Sequence, residues 1–320
     1  MKKTLLFFAI VCFALIAANP PTENPDARIS NGVISAHLYL PDTANGYYRG
    51  TRFDWAGQIS ELTYKQHSYF GKWFQKYSPF LHDAIMGPVE AFDPIGFSEA
   101  PAGGRFLKIG AGILEKPSTD EYNFAADYKL LDAGKWQIQK KADNVRFTQT
   151  LNDNTFKYVY TKTVRLVPNQ PELVLEHVLK NTGNTALETN VMNHNFFVID
   201  EQRTGADFTV EFPYPISANT DDPTSASING NNIVLEAGDP SGKKFFLENI
   251  RGFSADAADY HFTVKNTKTK AAVTVTSDRP IEKMNFWASV KTVCPEPYIN
   301  VKVEPGKEFR WNIHYRFHEE

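Results

Sequence analysis

Cysteine is almost absent from this 320-residue chain, which holds only Cys12 and Cys294. Cys12 lies in an N-terminal segment that reads as removable, so the mature chain keeps one thiol and no intramolecular disulfide. The fold must then be held by core burial. An excess of basic charge is also missing: formal net charge is -3, with both signs mixed along the chain. Nothing supplies the positive field that nucleic-acid binding needs. There is no CxxC, no HExxH, no P-loop, no dinucleotide fingerprint and no GxSxG elbow. Metal, nucleotide and serine-hydrolase chemistries therefore have no motif to rest on, and neither a metal nor a cofactor is expected. Long helical periods, low-complexity tracts and internal repeats are lacking too.

What is present begins with a processing segment. Lys2 and Lys3 form a positive start, and an uncharged apolar run follows from Leu5 to Ala18, with Pro20 and Pro21 just beyond. A bilayer span needs about 20 apolar residues, and this run is shorter. Residues 1–18 read as a secretory signal peptide cut near Ala18, with a retained N-terminal anchor as the alternative. Cys12 follows Val11 rather than a small residue, which argues against lipidation. Residues 19–27 read as a flexible leader, and residues 28–320 as a single domain. The expected location is the periplasm or outside the cell, with no stable membrane insertion once the signal is gone.

Beyond the leader the pattern is strand after strand. Ile34, Ala36, Leu38 and Leu40 alternate with Ser35, His37 and Tyr39, the period of a half-buried strand. Further β-rich runs include 145–151, 158–167, 173–180, 186–198, 261–265, 271–276, 282–290 and 309–317. Gly, Asn, Asp and Pro punctuate the gaps, as at Ala142-Asp143-Asn144. This argues for an all-β sandwich or barrel rather than βαβ units. Tyr64 to Met86 lacks clean alternation and is expected to hold a short helix within a long connection. Aromatic residues make up 13% of the chain, enough for a core and for rings that stack on sugars.

The sharpest local feature is Asn193-His194-Asn195-Phe196-Phe197, on a strand that follows the turn around Asn181-Thr182-Gly183. On spacing alone, His194 can equally be an ordinary strand histidine. The stretch LKNTGNTALETNVMNHNFFVID, however, resembles a segment of the aldose 1-epimerase (galactose mutarotase-like) family, in which an N-H-x-[YF]-F motif carries the general acid. That residue matches His194. Later, VCPEPYINVKVEPGKEFRW is similar to the family's C-E-P motif and its closing P-G edge, and the family's general base matches Glu296. The likeness is good from about Leu130 to Phe317 and poor from Gly32 to Lys129. In the first half, Arg52 stands near the place of a G-R-x-x-N-R-I signature, and His82 near an L-H-G-G segment. Asp259, in Asp-Tyr-His-Phe, resembles an aspartate that binds sugar hydroxyls.

The resemblance implies a galactose mutarotase-like supersandwich of two large, twisted, mainly antiparallel sheets. It also implies a carbohydrate partner, with Arg52, His82, Asp259 and Asn193 as substrate-binding residues. The implied reaction is anomer interconversion, in which one group takes a proton from the anomeric hydroxyl while another protonates the ring oxygen. His194 and Glu296 are expected on opposite sides of the sugar, not in direct contact, with the carboxyl ionised and the imidazole protonated. A non-catalytic sugar-binding protein of the same fold stays open, as does a lyase or hydrolase whose Arg52 binds a uronate. Glu90 reads as a loop carboxylate, solvated or lining the cleft. Trp55, Trp73 and Phe97 read as core rings or sugar platforms, and Cys294 as a small buried hydrophobe.

Overall fold

A computed structural model describes residues 24–219, 226–235 and 244–320. The signal segment, its cut site and Cys12 lie outside the described residues. Among these residues the protein is all-β, and the only helical element is a single 3₁₀ turn, Ala257–Asp259. No helix among them is long and apolar enough to cross a membrane. The first strand begins inside the expected leader, because Asp26 and Ala27 already pair with Tyr39 and Leu38. Ala27 and Ile29 alternate inward there, so the first strand is the outer half of a hairpin with Ile34–Tyr39.

Two large antiparallel sheets form the body, one of ten strands and one of six. Both follow from period-two patterning, which sends alternate side chains to opposite faces. In Asn144–Asn152, for example, Val145, Phe147, Gln149 and Leu151 are buried while Arg146, Thr150 and Asn152 are exposed. The sheets pack face to face. The Phe92 ring, from the six-stranded sheet, meets Tyr160 and Trp311 of the larger sheet at 5.4 and 6.3 Å between ring centres. One apolar cluster runs from Ala27 to Phe317.

The six-stranded sheet carries the site, and its chain order matters. The strands Phe245–Arg251, Lys283–Ser289, Thr292–Val303, Leu187–Phe196 and Gly87–Phe92 lie side by side in that sequence. The last was hidden from sequence reading by Gly87-Pro88. Pro88 is tolerated because this strand is at the sheet edge. Gly87 has a φ of +73°, and a Cβ there would lie 2.5 Å from the Ile59 carbonyl oxygen, so only glycine fits.

Two expectations fail here. Tyr64 to Met86 contains no helix; after the short strand His67–Ser68 it runs as irregular chain to Gly87. Its aromatics are used for packing instead, with Trp73 stacked on Phe196 at 5.2 Å and donating Nε1–H to the Ile85 carbonyl. Glu90 is not a loop carboxylate but a fully buried strand residue facing the space between the sheets. There it pairs with Lys162, lies 3.1 Å from His177 Nε2, and accepts a long 3.5 Å hydrogen bond from Asn193. Asp54 joins the same cluster, 4.0 Å from Lys162 and accepting from the Tyr160 hydroxyl at 2.9 Å. Burial pushes the Glu90 carboxyl up, but Lys162 and His177 outweigh it and hold the group below the usual carboxylate range.

Candidate active site

The strands Leu187–Phe196 and Thr292–Val303 pair antiparallel, with Val191 opposite Ile299 and Met192 opposite Tyr298. The same register continues to the bridge between Phe197 and Val293. It therefore sets His194 directly across from Glu296 on one face of the sheet. His194 Nε2 lies 3.1 Å from Glu296 Oε1. That contact overturns the expected arrangement, in which a sugar ring separates the two groups. Cross-strand neighbours on one face stand side by side, so a ligand lies over the pair rather than between its members.

Both groups are buried on the floor of a cavity of about 630 Å³. The His194 ring is clamped by Phe196, stacked at 3.9 Å, and by the edge of Phe53 at 5.6 Å. Its Nδ1 is buried and meets no hydrogen-bond partner. Burial, reinforced by the positive charge of Arg52, therefore drives the imidazole well below its ordinary pKa. Burial raises the Glu296 carboxyl to about 7, against a lowering by Arg52 and with a further raise from Asp83. The expected charge state is thus reversed: burial disfavours the charged form of each group, so a single proton held by the pair rests on the carboxyl and is half lost at about pH 7.

Arg52 and His82 reach the same cavity from loops outside the sheet. Asp83 links them, ion-pairing with Arg52 and lying 3.1 Å from His82 Nε2. The Arg52 guanidinium also lies over the rings of Phe53 and Phe124, at 4.6 and 4.3 Å. Arg52 is thus held by an anion and two aromatic faces, and it acts on both members of the pair through space.

The remaining sequence candidates lie elsewhere. Asn193 sits beside His194 but faces the other way, because successive strand residues point to opposite sides. Its side chain is buried between the sheets, where its oxygen accepts from the Tyr315 hydroxyl at 2.9 Å. It supports the strand that carries His194 and does not line the cavity. Asp259 does not line the cavity either. Its carboxylate accepts the Ser254 backbone N–H at 2.6 Å and closes a turn before the strand His261–Asn266. Trp55 and Phe97 are buried in packing clusters. Cys294 is fully buried and its thiol is pushed up by burial.

Sequence reading missed other lining residues. Met192 and Phe196 are two positions from His194, and Tyr298 is two positions from Glu296; period two alone gives these. Asn285 lies opposite Glu296 in the next strand, and Trp287 opposite Cys294, which needs the strand pairing. Asp83 and Phe124 come from loops and carry no periodic signal. Lys108 also lines the wall; its amine donates to the Phe92 carbonyl, and burial lowers it to about 7.

No family model matches the sequence, and no curated protein does. Solved structures do resemble this one. A protein from Synechocystis sp. PCC 6803 superposes with a TM-score of 0.57 at 12% identity, covering 96% of this chain and 100% of its own. A galactose mutarotase related enzyme from Lactobacillus acidophilus gives 0.54 at 16% identity, covering 92% and 97%. An aldose epimerase homologue from C. elegans gives 0.55 at 14% identity, covering 92% and 99%. At such identities the likeness establishes the fold, which is all-β and galactose mutarotase-like.

Proposed function

We propose that this chain is an aldose 1-epimerase-like isomerase, with His194 and Glu296 as the acid–base pair that opens and recloses a sugar ring. The observation that carries the proposal is the buried pair 3.1 Å apart on the floor of a large cavity. Burial lowers the imidazole's affinity for a proton and raises the carboxyl's, inverting their ordinary order. The fold's likeness to a galactose mutarotase related enzyme and an aldose epimerase homologue supports it.

The chemistry suits neighbours better than opposed groups. The anomeric hydroxyl oxygen and the ring oxygen are both bonded to the anomeric carbon, so a pair side by side reaches both. Moving the shared proton from Glu296 to Nε2 of His194 gives a carboxylate and an imidazolium. The carboxylate then takes the anomeric hydroxyl proton as the bond from the anomeric carbon to the ring oxygen breaks. That oxygen takes the Nε2 proton, leaving an open-chain aldehyde. Rotation about one carbon–carbon bond and reversal of the proton transfers deliver either anomer, and the pair ends as it began. No proton leaves the site, which a closed, buried pair favours.

Anomer interconversion across a panel of aldoses, followed by NMR exchange or polarimetry, tests the reading. Acceleration over the uncatalysed rate for one or more sugars supports it. Binding without acceleration of any sugar makes the protein a sugar-binding module of the same fold. The same proposal assigns the mature protein to the periplasm or the exterior, on the Lys2-Lys3 and Leu5–Ala18 pattern. Native protein beginning near Asn19 agrees with export; an intact Met1 in a soluble cytoplasmic fraction contradicts it.

A further inference from the structure

The cavity does not stop at the acid–base pair. Strand pairing sets Phe246 opposite Trp287, and Trp287 opposite Cys294. Phe246 and Trp287 therefore extend the row that begins with Phe196 beneath the His194 ring. Phe246 stands two strands beyond Glu296, about 10 Å across the sheet at ordinary strand spacing, and is offset along the strands by the two-residue step from Asn285 to Trp287. It is 49% exposed, and Phe124 on the mouth of the same cavity is 54% exposed, which ranks both among the few exposed large apolar residues described. Lys244 covers the Trp287 ring at 5.6 Å, so Phe246 presents the more open ring. Single exposed rings are ordinary, but these two line one cavity, the setting in which exposed apolar surface marks a ligand-binding groove. The cavity of about 630 Å³ also holds more than one pyranose fills, within the size range of sites that take larger ligands.

We infer that the site takes a saccharide of two or more residues, with the reducing-end ring over His194 and Glu296 and the next ring lying on Phe246. The inference rests on the isomerase reading for the position of the reducing end. The occupant is argued from continuity and spacing. One ring covers Glu296 and Asn285, and the apolar C–H face of the following ring reaches Phe246 along the same sheet face. Only a ligand with an apolar face and a polar rim suits a row flanked by Asn285, Glu296 and Lys244.

The test is the ratio of kcat/KM for anomerisation of disaccharides (cellobiose, lactose, maltose) to that of glucose, in wild type, Phe246→Ala and Phe246→Tyr. The expected result is a preference of about tenfold or more for one disaccharide. It falls toward one in Phe246→Ala and returns in Phe246→Tyr. Equal turnover of disaccharide and glucose, with a ratio untouched by Phe246→Ala, overturns the second ring position and leaves the isomerase reading standing. If wild type accelerates no sugar, the isomerase reading falls. Titration of the same disaccharides then decides: affinity weakened in Phe246→Ala upholds the ring position, and affinity unchanged or absent overturns it.

Discussion

His194 and Glu296, far apart in sequence, are direct cross-strand neighbours whose Nε2 and Oε1 lie 3.1 Å apart. The contact makes them one titrating unit, with protonation steps that belong to the pair. In the proposed reaction the active form is the pair holding one shared proton. A second proton adds only below the ordinary imidazole range, because burial and Arg52 depress His194. The shared proton is lost as pH rises through about 7, because burial raises Glu296. Plotted against pH, kcat/KM should be bell-shaped, falling on its alkaline side with an apparent pKa near 7. Activity that climbs through pH 7 and holds to pH 9 would rule this assignment out.

Arg52 should tune that alkaline limb. Its charge lowers Glu296, while Asp83 raises it. Arg52→Met keeps a long side chain between Phe53 and Phe124 but removes the positive charge and leaves Asp83 with His82 alone beside it. Both changes favour the protonated carboxyl. The alkaline limb should therefore move to higher pH, measured as a displaced pH–kcat/KM profile. A profile unmoved by the substitution would show that Arg52 does not act on the pair.

The buried cluster between the sheets predicts stability rather than catalysis. Lys162 and Glu90 are both fully buried, with His177 against the same carboxylate. Glu90→Gln removes the carboxylate that pairs directly with Lys162 and leaves the buried ammonium only Asp54, 4.0 Å away. Breaking such a pair costs about 3–5 kcal/mol, read by denaturant unfolding. Replacing both, as in Glu90→Gln with Lys162→Met, should recover much of the loss, since no ammonium is left in the core and burial lets Asp54 hold a proton there. If the double variant is as unstable as Glu90→Gln alone, the ion pair is not the source of the cost.

These residues also show what was legible before the structure. Strand content was readable because period-two burial and turn residues are local signals, whereas His194 and Glu296 were singled out only by the resemblance of their segments to a family. Glu90 was misread because Gly87-Pro88 looks like a break, and only edge position makes it compatible with a strand. Asn193 was misassigned because adjacency in sequence suggests shared function, whereas on a strand it sends neighbours to opposite faces. The direct contact of His194 with Glu296, and their reversed charge state, depend on register and burial, which no local pattern encodes. Loop residues such as Asp83 and Phe124 are brought to the cavity by chain path alone.

Asp259 supplies a control. Its carboxylate closes a turn through the Ser254 N–H and does not line the cavity. Asp259→Asn should leave kcat and KM for any turned-over sugar within about twofold, with at most the small stability change of a weakened surface hydrogen bond. A loss of saturation with sugar in this variant would return Asp259 to the binding site and displace the present assignment.

The decisive prediction concerns the pair itself. Glu296→Gln keeps the shape and a hydrogen-bonding group opposite His194 but cannot take the anomeric proton. His194→Gln likewise keeps a polar side chain but cannot give a proton to the ring oxygen. General acid–base groups contribute about 10²–10⁴-fold, so each single variant should lose kcat of that order while unfolding near the wild-type midpoint. The double variant should be little worse than either single one, because each proton transfer needs its counterpart and groups acting as a unit are not additive. Sugar affinity should survive Glu296→Gln better than turnover, since Arg52, Asn285 and the aromatic row remain. Separately additive losses would mean that the two residues act in independent steps. Equal rates for wild type and Glu296→Gln would remove Glu296 as the base, and with it the reason for a carboxyl held beside an imidazole in so dry a place.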